Sequence, residues 1–310
     1  MIFRVLLSCF MCFSIQVNAQ LIKVPGTSIF MDPPAGFGLS QNFSGFEDAK
    51  TKSSIMIVEF PKESYDELAE LFLDLDLAKK HLSAQGVSIN HREEVTFSED
   101  KAPILLLSGV QTFEEKEIMK HIALIEGEAT VLISYNIFDK SVYSKDVIID
   151  TLTKINVGKE ASLKEQLNQL NFTFKEKSNF KIDKVVAGSS VILVDSVSKS
   201  SGVFGTRLVI ESSVTKLDAL DKEDAAKALL FAVPGFENAD LNSIHFIEFA
   251  GMKSIKIKAS TENHRIIQFT AFTNEGTYVR LIATGGIGDF NKAESSIDEV
   301  ARSVKMKGLF

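Results

Sequence analysis

The sequence contains no tryptophan and only two cysteines, and both cysteines, Cys9 and Cys12, lie near the amino terminus. The lack of tryptophan argues against an aromatic platform for carbohydrate binding. We predict below that the segment holding both cysteines is removed. The remaining chain then forms no disulfide and has no thiolate to act as a nucleophile or a metal ligand. We expect the fold to depend on its hydrophobic core, which suits a bacterial periplasm better than a disulfide-rich extracellular medium.

Positive charge is also scarce, because 34 lysines and arginines face 41 acidic residues and the formal net charge is -7. Removing Arg4 with the amino-terminal segment changes -7 to -8. An acidic surface without a basic block argues against binding to nucleic acid or to anionic lipid headgroups. The sequence therefore predicts an unidentified protein or small-molecule partner and no nucleic acid.

Long apolar stretches are absent except at the start of the chain. Arg4 is the only charge in the first 19 residues, the run from Val5 to Ile15 is apolar, and Ala19 ends a Val-Asn-Ala sequence. The run is shorter than the roughly 20 residues that span a bilayer. It is typical of a secretory signal peptide. We predict cleavage after Ala19, a soluble periplasmic or secreted product, and no integral membrane span.

The chain contains an internal repeat. Residues 275–306 match residues 126–157 at a spacing of 149, and residues 172–188 match residues 29–45 at a spacing of 143. The first match pairs Leu132 with Leu281, Ile133 with Ile282, Ile148 with Ile297, and Ile155 with Val304; the second pairs Gly45 with Gly188. Repetition on this scale indicates two similarly built lobes.

Each copy predicts the same order of elements. Residues 53–60 and 206–213 are predicted strands ending near Glu59 and Glu211, which we take as equivalent. A helix follows in each lobe. In the first lobe Ser64 and Glu67 have the spacing of a capping box at its start, and Gly86 can end it. In the second lobe the helix is predicted within residues 215–231. Three strands come next, at 87–97, 102–113 and 116–125, with counterparts at 240–249, 253–261 and 264–273. The short connections favour antiparallel neighbours, so we predict an α+β fold in which each lobe is an antiparallel sheet flanked by helices.

We predict a signal peptide at residues 1–19, a first lobe at 20–157, a connecting helix at 158–170 and a second lobe at 171–310. In the connecting segment Ser162 and Glu165 have the spacing of a capping box. Leu163, Leu167 and Leu170 form one apolar edge. We therefore expect a short helix docked on a lobe instead of a flexible tether.

Three stretches resemble the PsbP-like family: PPAGF with NFSGFE at the opening, SSIMIVEFP in the first lobe, and GTYVRLIATG with SIDEVARSVKM at the end. The resemblance implies a tandem PsbP-like protein of an exported bacterial family with no assigned function. Photosystem members of this family are accessory binding proteins. The resemblance implies the fold and no functional residue.

Glycines cluster at Gly285, Gly286 and Gly288, between a predicted strand and a predicted helix. A nucleotide-binding turn places glycines in this way. The third glycine of that motif is missing, and too little chain follows for a complete βαβ unit. We favour a tight turn with Asp289 as the helix cap.

A metal site has one candidate pair, since His91 and Glu93 would point to the same side of a strand. The other histidines are scattered, at His81, His121, His245 and His264. Because zinc needs at least three protein ligands, we predict no metal and no cofactor.

Two further candidate sites have structural alternatives. A serine hydrolase needs an oriented serine, histidine and acid, but no GxSxG elbow occurs. Phe30, Phe37, Phe43 and Phe46 could form an apolar binding patch, but half-buried strands produce the same pattern, and we favour a core role. We assign no catalytic, cofactor-binding or metal residue. The sequence predicts an exported, non-enzymatic binding or interaction protein, with a periplasmic hydrolase as the alternative.

Overall fold

The computed structural model describes residues 21–83, 85–96, 102–113, 116–177, 179–196, 205–213 and 221–307. The predicted signal peptide lies outside the described residues. The chain forms two lobes, and each contains a seven-stranded antiparallel sheet with helices beside it. The predicted α+β class and the antiparallel sheets are therefore confirmed.

The first lobe has ten strands and three helices in the described residues. They are β1 (Ile22–Lys23), β2 (Ile29–Met31), β3 (Gly38–Leu39), β4 (Gly45–Asp48), β5 (Ser53–Phe60), α1 (Tyr65–Leu73), α2 (Leu75–Ser83), β6 (Val87–Val95), β7 (Ile104–Phe113), β8 (Lys116–Ile125), β9 (Thr130–Ile137), α3 (Lys145–Thr153) and β10 (Asn156–Val157). Its large sheet has the order β3-β4-β5-β9-β8-β7-β6.

The connecting helix and the second lobe continue the count. They contain α4 (Leu163–Gln169), β11 (Phe172–Thr173), β12 (Phe180–Val186), β13 (Ser190–Asp195), β14 (Arg207–Ser212), α5 (Lys222–Phe231), β15 (Asp240–Phe249), β16 (Met252–Ser260), β17 (His264–Phe272), β18 (Tyr278–Gly286), α6 (Ile287–Ser303) and β19 (Lys305–Met306). The large sheet has the order β12-β13-β14-β18-β17-β16-β15, which repeats the order of the first lobe element by element.

Both faces of each large sheet are covered by helices. In the first lobe α3 packs on one face through Ile148 and Leu152, and α1 packs on the other through Phe72. In the second lobe α6 packs on one face through Ile297, and α5 packs on the other through Leu230. Each lobe therefore has two hydrophobic cores, one on each side of the sheet.

In each lobe a strand near the start pairs with the closing strand. Ile29 of β2 is opposite Val157 of β10, and Phe172 of β11 is opposite Met306 of β19. The spacing from Ile29 to Phe172 is 143 and that from Val157 to Met306 is 149, so these pairs are equivalent under the two predicted repeats. The ends of the repeat are therefore aligned correctly.

The predicted alignment of β9 with β18 is wrong by one residue. Ile133 lies in the core beneath α3, whereas Ile282 lies in the core beneath α5, on the opposite face. Leu281 is the residue that packs with α6, as Ile133 packs with α3. Ile148 and Ile297 do match, since each is fully buried on the helix of the same face.

The long helix predicted from Ser64 to Gly86 is instead two helices, α1 and α2. Asp74 has an extended backbone, and its Oδ1 accepts hydrogen bonds from the backbone N–H groups of Asp76 and Leu77, which begins a new helix. The predicted capping box at Ser64 is also wrong. Ser64 ends a 3-10 turn with helical backbone angles, and its side chain makes no capping hydrogen bond.

The connecting helix has the predicted capping box. Ser162 accepts from the backbone N–H of Glu165, and the Glu165 carboxylate accepts from the backbone N–H of Ser162. Leu167 and Leu170 pack on the core of the second lobe, but Leu163 is exposed, so only part of the predicted apolar edge is buried. Across to the first lobe, Glu165 forms an ion pair with Lys23 at 3.2 Å.

Candidate functional site

The strand β15 is at one edge of the second sheet. Nine of its ten residues pair with β16 on one side, and no strand of the described chain pairs with its other side. Every second residue of an edge strand points its backbone N–H and C=O away from the sheet, where they can bind another extended chain. The edge is therefore a backbone surface as well as a side-chain surface.

Phe246 is the most exposed large hydrophobic residue of the described chain, with 77% of its surface accessible. It lies in the middle of β15, opposite the buried Ile255 of β16. Ile244, two residues earlier on the same face, is half-buried against the core beneath α5. Since a phenylalanine ring gains about 1.5–3 kcal/mol by complete burial, this position favours contact with another molecule.

The equivalent edge of the first lobe has charged residues at these positions. Both edge strands contain an irregularity, at Asn90 in β6 and at Asn242 in β15, and it fixes the register between them. Counting from it, Arg92 corresponds to Ile244 and Glu94 corresponds to Phe246.

These charged residues and a helix protect the edge of the first lobe. Arg92 forms an ion pair with Glu94 at 2.7 Å, and its Nε donates to the carbonyl oxygen of Phe72 at 3.0 Å. The helix α2 also packs against β6. Charged residues and a covering helix are the usual means of keeping an edge strand from pairing. In the second lobe Ile244 and Phe246 occupy the two positions, so the two lobes differ at this edge.

The candidate metal pair, His91 and Glu93, has no third ligand among the described residues. His91 Nε2 lies 3.8 Å from Glu93 Oε2, and Glu93 Oε1 is 2.6 Å from Lys145 Nζ at the start of α3. Among the described residues, no group of three or more His, Cys, Asp and Glu side chains is placed to hold a metal ion. The pair therefore joins the edge strand to α3.

A serine and a histidine do meet in the first lobe. Ser108 Oγ is 2.9 Å from His121 Nδ1, between β7 and β8. Both residues are buried, and desolvation lowers the pKa of His121 to about 4, so the imidazole is neutral at physiological pH. Sequence reasoning did not select this pair, because nothing in the spacing of 13 residues identifies it before the strands are paired.

The predicted turn at the glycine cluster is absent. The strand β18 continues through Gly286, and α6 begins at the next residue, Ile287. Asp289 is therefore in the first turn of α6 and is not its cap, which corrects the prediction; the N-cap is Gly286, without a side-chain hydrogen bond. Asp289 forms an ion pair with Lys292 at 3.5 Å.

Glu59 and Glu211 are not equivalent, contrary to the prediction. Glu59 lies on the face of its sheet that also carries Ile57 of the α3 core, and its Oε1 accepts hydrogen bonds from Ser28 N and Ser28 Oγ at 2.6 and 2.5 Å. Glu211 lies on the opposite face, towards α5, and binds Arg280 at 2.6 Å. Both carboxylates form internal contacts.

A cavity of about 540 Å³ lies in the first lobe beside the loop before α3. Asp48 and Tyr143 line it, and Tyr143 Oη donates to Asp48 Oδ2 at 2.8 Å. Thr51 Oγ1 and Lys50 N also donate to Asp48, and hydrogen bonding lowers the pKa of its carboxyl group, that from Thr51 most. Because internal donors already occupy both oxygens of Asp48, the cavity contains a structural cluster.

The phenylalanines of the opening segment divide between core and half-buried positions. Phe43 and Phe46 are buried, and Phe46 belongs to the core beneath α3. Phe37 is half-buried and packs on Tyr143, with ring centroids 4.8 Å apart, and Phe30 is half-buried. The exposed aromatic residue is instead Phe246, which sequence reasoning missed.

No helix in the described residues is both long and apolar enough to cross a membrane. Neither a protein-family model nor a curated protein matches the sequence. Among solved structures, the chain is similar to cyanobacterial PsbP (CyanoP) from Synechocystis sp. PCC 6803, with a TM-score of 0.33 and 14% identity over 44% of this chain and 86% of that one.

Two further similarities cover nearly the whole chain. One is to the immunity protein TplEi of the T6SS from Pseudomonas aeruginosa, in complex with "L" peptide, with a TM-score of 0.32 and 9% identity over 94% of this chain and 99% of that one. The other is to a chain of the Tle4-Tli4 complex, with a TM-score of 0.31 and 10% identity over 93% and 98%. All three TM-scores are below 0.5.

Proposed function

We propose that the protein is an exported, non-enzymatic interaction protein with two PsbP-like lobes in tandem and no cofactor, and that its partner adds an extended strand to β15. The observation that carries the proposal is Phe246, 77% exposed in the middle of a ten-residue edge strand. Strand addition obtains affinity from main-chain hydrogen bonds and specificity from alternate side chains.

The side chains beside the edge define the chemistry of the partner strand. Ile244 and Phe246 lie on the same face, so the added strand needs an apolar side chain beside each of them. The exposed His245 is on the other face of β15. A partner segment therefore has apolar residues at alternate positions and free backbone N–H groups.

The test uses a synthetic peptide of alternating valine and threonine, with a lysine at each end for solubility, and the purified full chain. Fluorescence anisotropy measures binding, and hydrogen exchange locates it. We expect protection of β15 amides, and loss of binding when alternate peptide nitrogens are methylated, because methylation removes the donors. The Ile244→Arg, Phe246→Glu variant, which introduces the ion pair of the first lobe, serves as the matched control and should not bind. Equal binding by the methylated peptide or by this variant would contradict strand addition.

Export belongs to the proposal and has its own test. The apolar run from Val5 to Ile15 and the Val-Asn-Ala sequence before Gln20 support a cleaved signal peptide. We expect amino-terminal sequencing of protein from the periplasm or medium to begin at Gln20. A mature chain that begins at Met1 would rule out cleavage.

A periplasmic hydrolase is the alternative, and the contact between Ser108 and His121 is the observation that favours it. The serine in such an enzyme attacks a substrate that must reach its Oγ. Ser108 is only 5% exposed and His121 only 2%, which favours a structural role. Turnover of an ester panel that disappears in Ser108→Ala but persists in Ser134→Ala would support the hydrolase.

A further inference from the structure

We infer that the strand added to β15 is β15 of a second copy of this chain, paired antiparallel about a two-fold axis at His245. The inference rests on the strand-addition function proposed above and names its partner. It follows from the order of side chains along Ser243–Glu248, in which one register places apolar side chains opposite each other.

The geometry of pairing limits the registers available. In an antiparallel pair, residues opposite each other point to the same face of the sheet. If a two-fold axis perpendicular to the sheet relates two paired copies of β15, residues opposite each other must both have odd numbers or both have even numbers. One residue is then opposite itself, and the axis lies between its two copies.

An axis at His245 pairs apolar side chains with each other. Ile244 of each copy is opposite Phe246 of the other, so both exposed Phe246 rings gain an apolar neighbour in the dimer. Ser243 is opposite Ile247, and these residues follow the irregularity at Asn242, so the regular part of the strand contains the whole contact. Aromatic and branched side chains directly opposite each other are favourable cross-strand pairs.

The two neighbouring registers pair the apolar residues less well. An axis at Ile244 would place Phe246 opposite Asn242, where the pairing of β15 is irregular, so the exposed ring would have no regular cross-strand partner. An axis at Phe246 would place the carboxylate of Glu248 opposite the apolar Ile244. A carboxylate beside an apolar side chain loses water without gaining a partner, so the register at His245 is favoured over both neighbours.

His245 is the one residue in this register that faces its own copy. This property permits a charge-exchange experiment, because the same substitution places two identical charges opposite each other. His245→Glu alone and His245→Lys alone each create a like-charged pair at the axis, whereas an equimolar mixture creates a pair of opposite charges. His264→Glu is the matched control, since His264 is also exposed but lies on β17.

Sedimentation equilibrium of the purified full chain measures the result. We expect the wild type and His264→Glu to form a dimer of the 34.2 kDa chain. We expect each His245 variant to raise the dimer dissociation constant at least about fivefold, and the mixture to form a heterodimer. Phe246→Thr, which keeps a strand-forming residue, should raise the constant by roughly thirtyfold because two apolar pairs are lost.

Two results overturn the inference. One is a wild type that remains monomeric at high concentration, and the other is a mixture of His245→Glu and His245→Lys that forms no heterodimer. A monomer that still binds the valine-threonine peptide along β15 rejects the second copy and keeps the strand-addition function. A monomer that binds no peptide rejects both. Equal melting temperatures for all variants exclude misfolding as the cause.

Discussion

The backbone N–H of Ser44 donates a hydrogen bond to the carbonyl oxygen of Ala187 at 2.7 Å, and each residue lies in the turn between the first two strands of its large sheet. Their neighbours Gly45 and Gly188 are not equivalent, contrary to the prediction, because Gly45 is paired within β4 whereas Gly188 lies in the turn before β13. The lobes therefore meet through corresponding parts of their surfaces. Contacts between matching patches are typical of a two-fold interface, here formed within one chain.

Substitution of Gly188 should weaken this contact. A Cβ atom at Gly188 would lie 2.5 Å from Ser44 Oγ and 2.9 Å from Ser44 N, whereas one at Gly235 would meet nothing within 4 Å. Both glycines have positive φ, so Gly235→Ala measures the backbone strain alone, about 1–2 kcal/mol. We expect Gly188→Ala to lower the melting temperature several degrees further than Gly235→Ala. Equal melting temperatures would show that the contact does not stabilise the protein.

The ion pair of Glu211 and Arg280 should contribute strongly to the stability of the second lobe. Arg280 is 9% exposed, and besides Glu211 it donates to the carbonyl oxygen of Leu229 at 2.8 Å, which ties α5 to the sheet. Glu211→Gln leaves a buried charge without its partner, so we expect a loss of about 3 kcal/mol in the free energy of unfolding.

A double-mutant cycle is the control for this ion pair. Arg280→Met removes the other charge, and the variant with both substitutions should recover part of the loss, because no unpaired charge remains. Urea denaturation measures all four proteins. Additive losses would show that the two side chains are not coupled.

Glu59 should make stability depend on pH. Burial raises the pKa of its carboxyl group, against the hydrogen bonds from Ser28, which lower it. The folded state therefore favours the protonated form, so this contribution is fully present below the ordinary pKa of 4.5 and is lost as the pH rises through the folded pKa. Glu59→Gln stays neutral, so we expect its melting temperature relative to wild type to increase from pH 4.5 to neutral pH. A constant difference would contradict the raised pKa.

Ile148→Asp and Ile297→Asp should each strongly destabilise the folded protein. Both isoleucines are fully buried on the helices α3 and α6, so each substitution places an unpaired charge in a core. We expect losses above about 4 kcal/mol, measured by thermal and urea denaturation. Val142→Asp, at a position that is 51% exposed, is the control and should unfold like the wild type.

The protein should need no metal to fold. The part of the chain after residue 20 has no cysteine, and its five histidines have no ligand spacing. We expect dialysis against a strong chelator to leave the melting temperature unchanged and elemental analysis to find no stoichiometric metal. A fall of several degrees that one divalent ion reverses would contradict this expectation.

The fold class and the antiparallel pairing were predictable, but the register of the repeat was not, and helices on both faces explain why. A strand with one solvent face alternates between apolar and polar residues, and that alternation fixes which side chains point inward. The strand β9 has apolar residues on both faces, with Leu132 towards α1 and α2 and Ile133 towards α3. A shift by one residue therefore leaves the apolar pattern almost unchanged.

Capping boxes show the same limit of local patterns. The spacing of Ser162 and Glu165 predicted a capping box that forms, whereas the same spacing at Ser64 and Glu67 predicted one that does not. The difference is the backbone of the serine, extended at Ser162 and helical at Ser64, where a 3-10 turn comes before the helix. The candidate edge needed still more information, because β15 is recognisable as an edge only after the strand order is known.

In each lobe a strand near the start lies beside the last strand, and this has an evolutionary consequence. Because β2 lies beside β10 and β11 lies beside β19, each copy begins and ends at the same place on its surface. A unit with adjacent ends can be duplicated head to tail with a short connector and without threading the new copy through the old one. After such a duplication one copy can keep a protected edge at Arg92 and Glu94 while the other acquires Ile244 and Phe246.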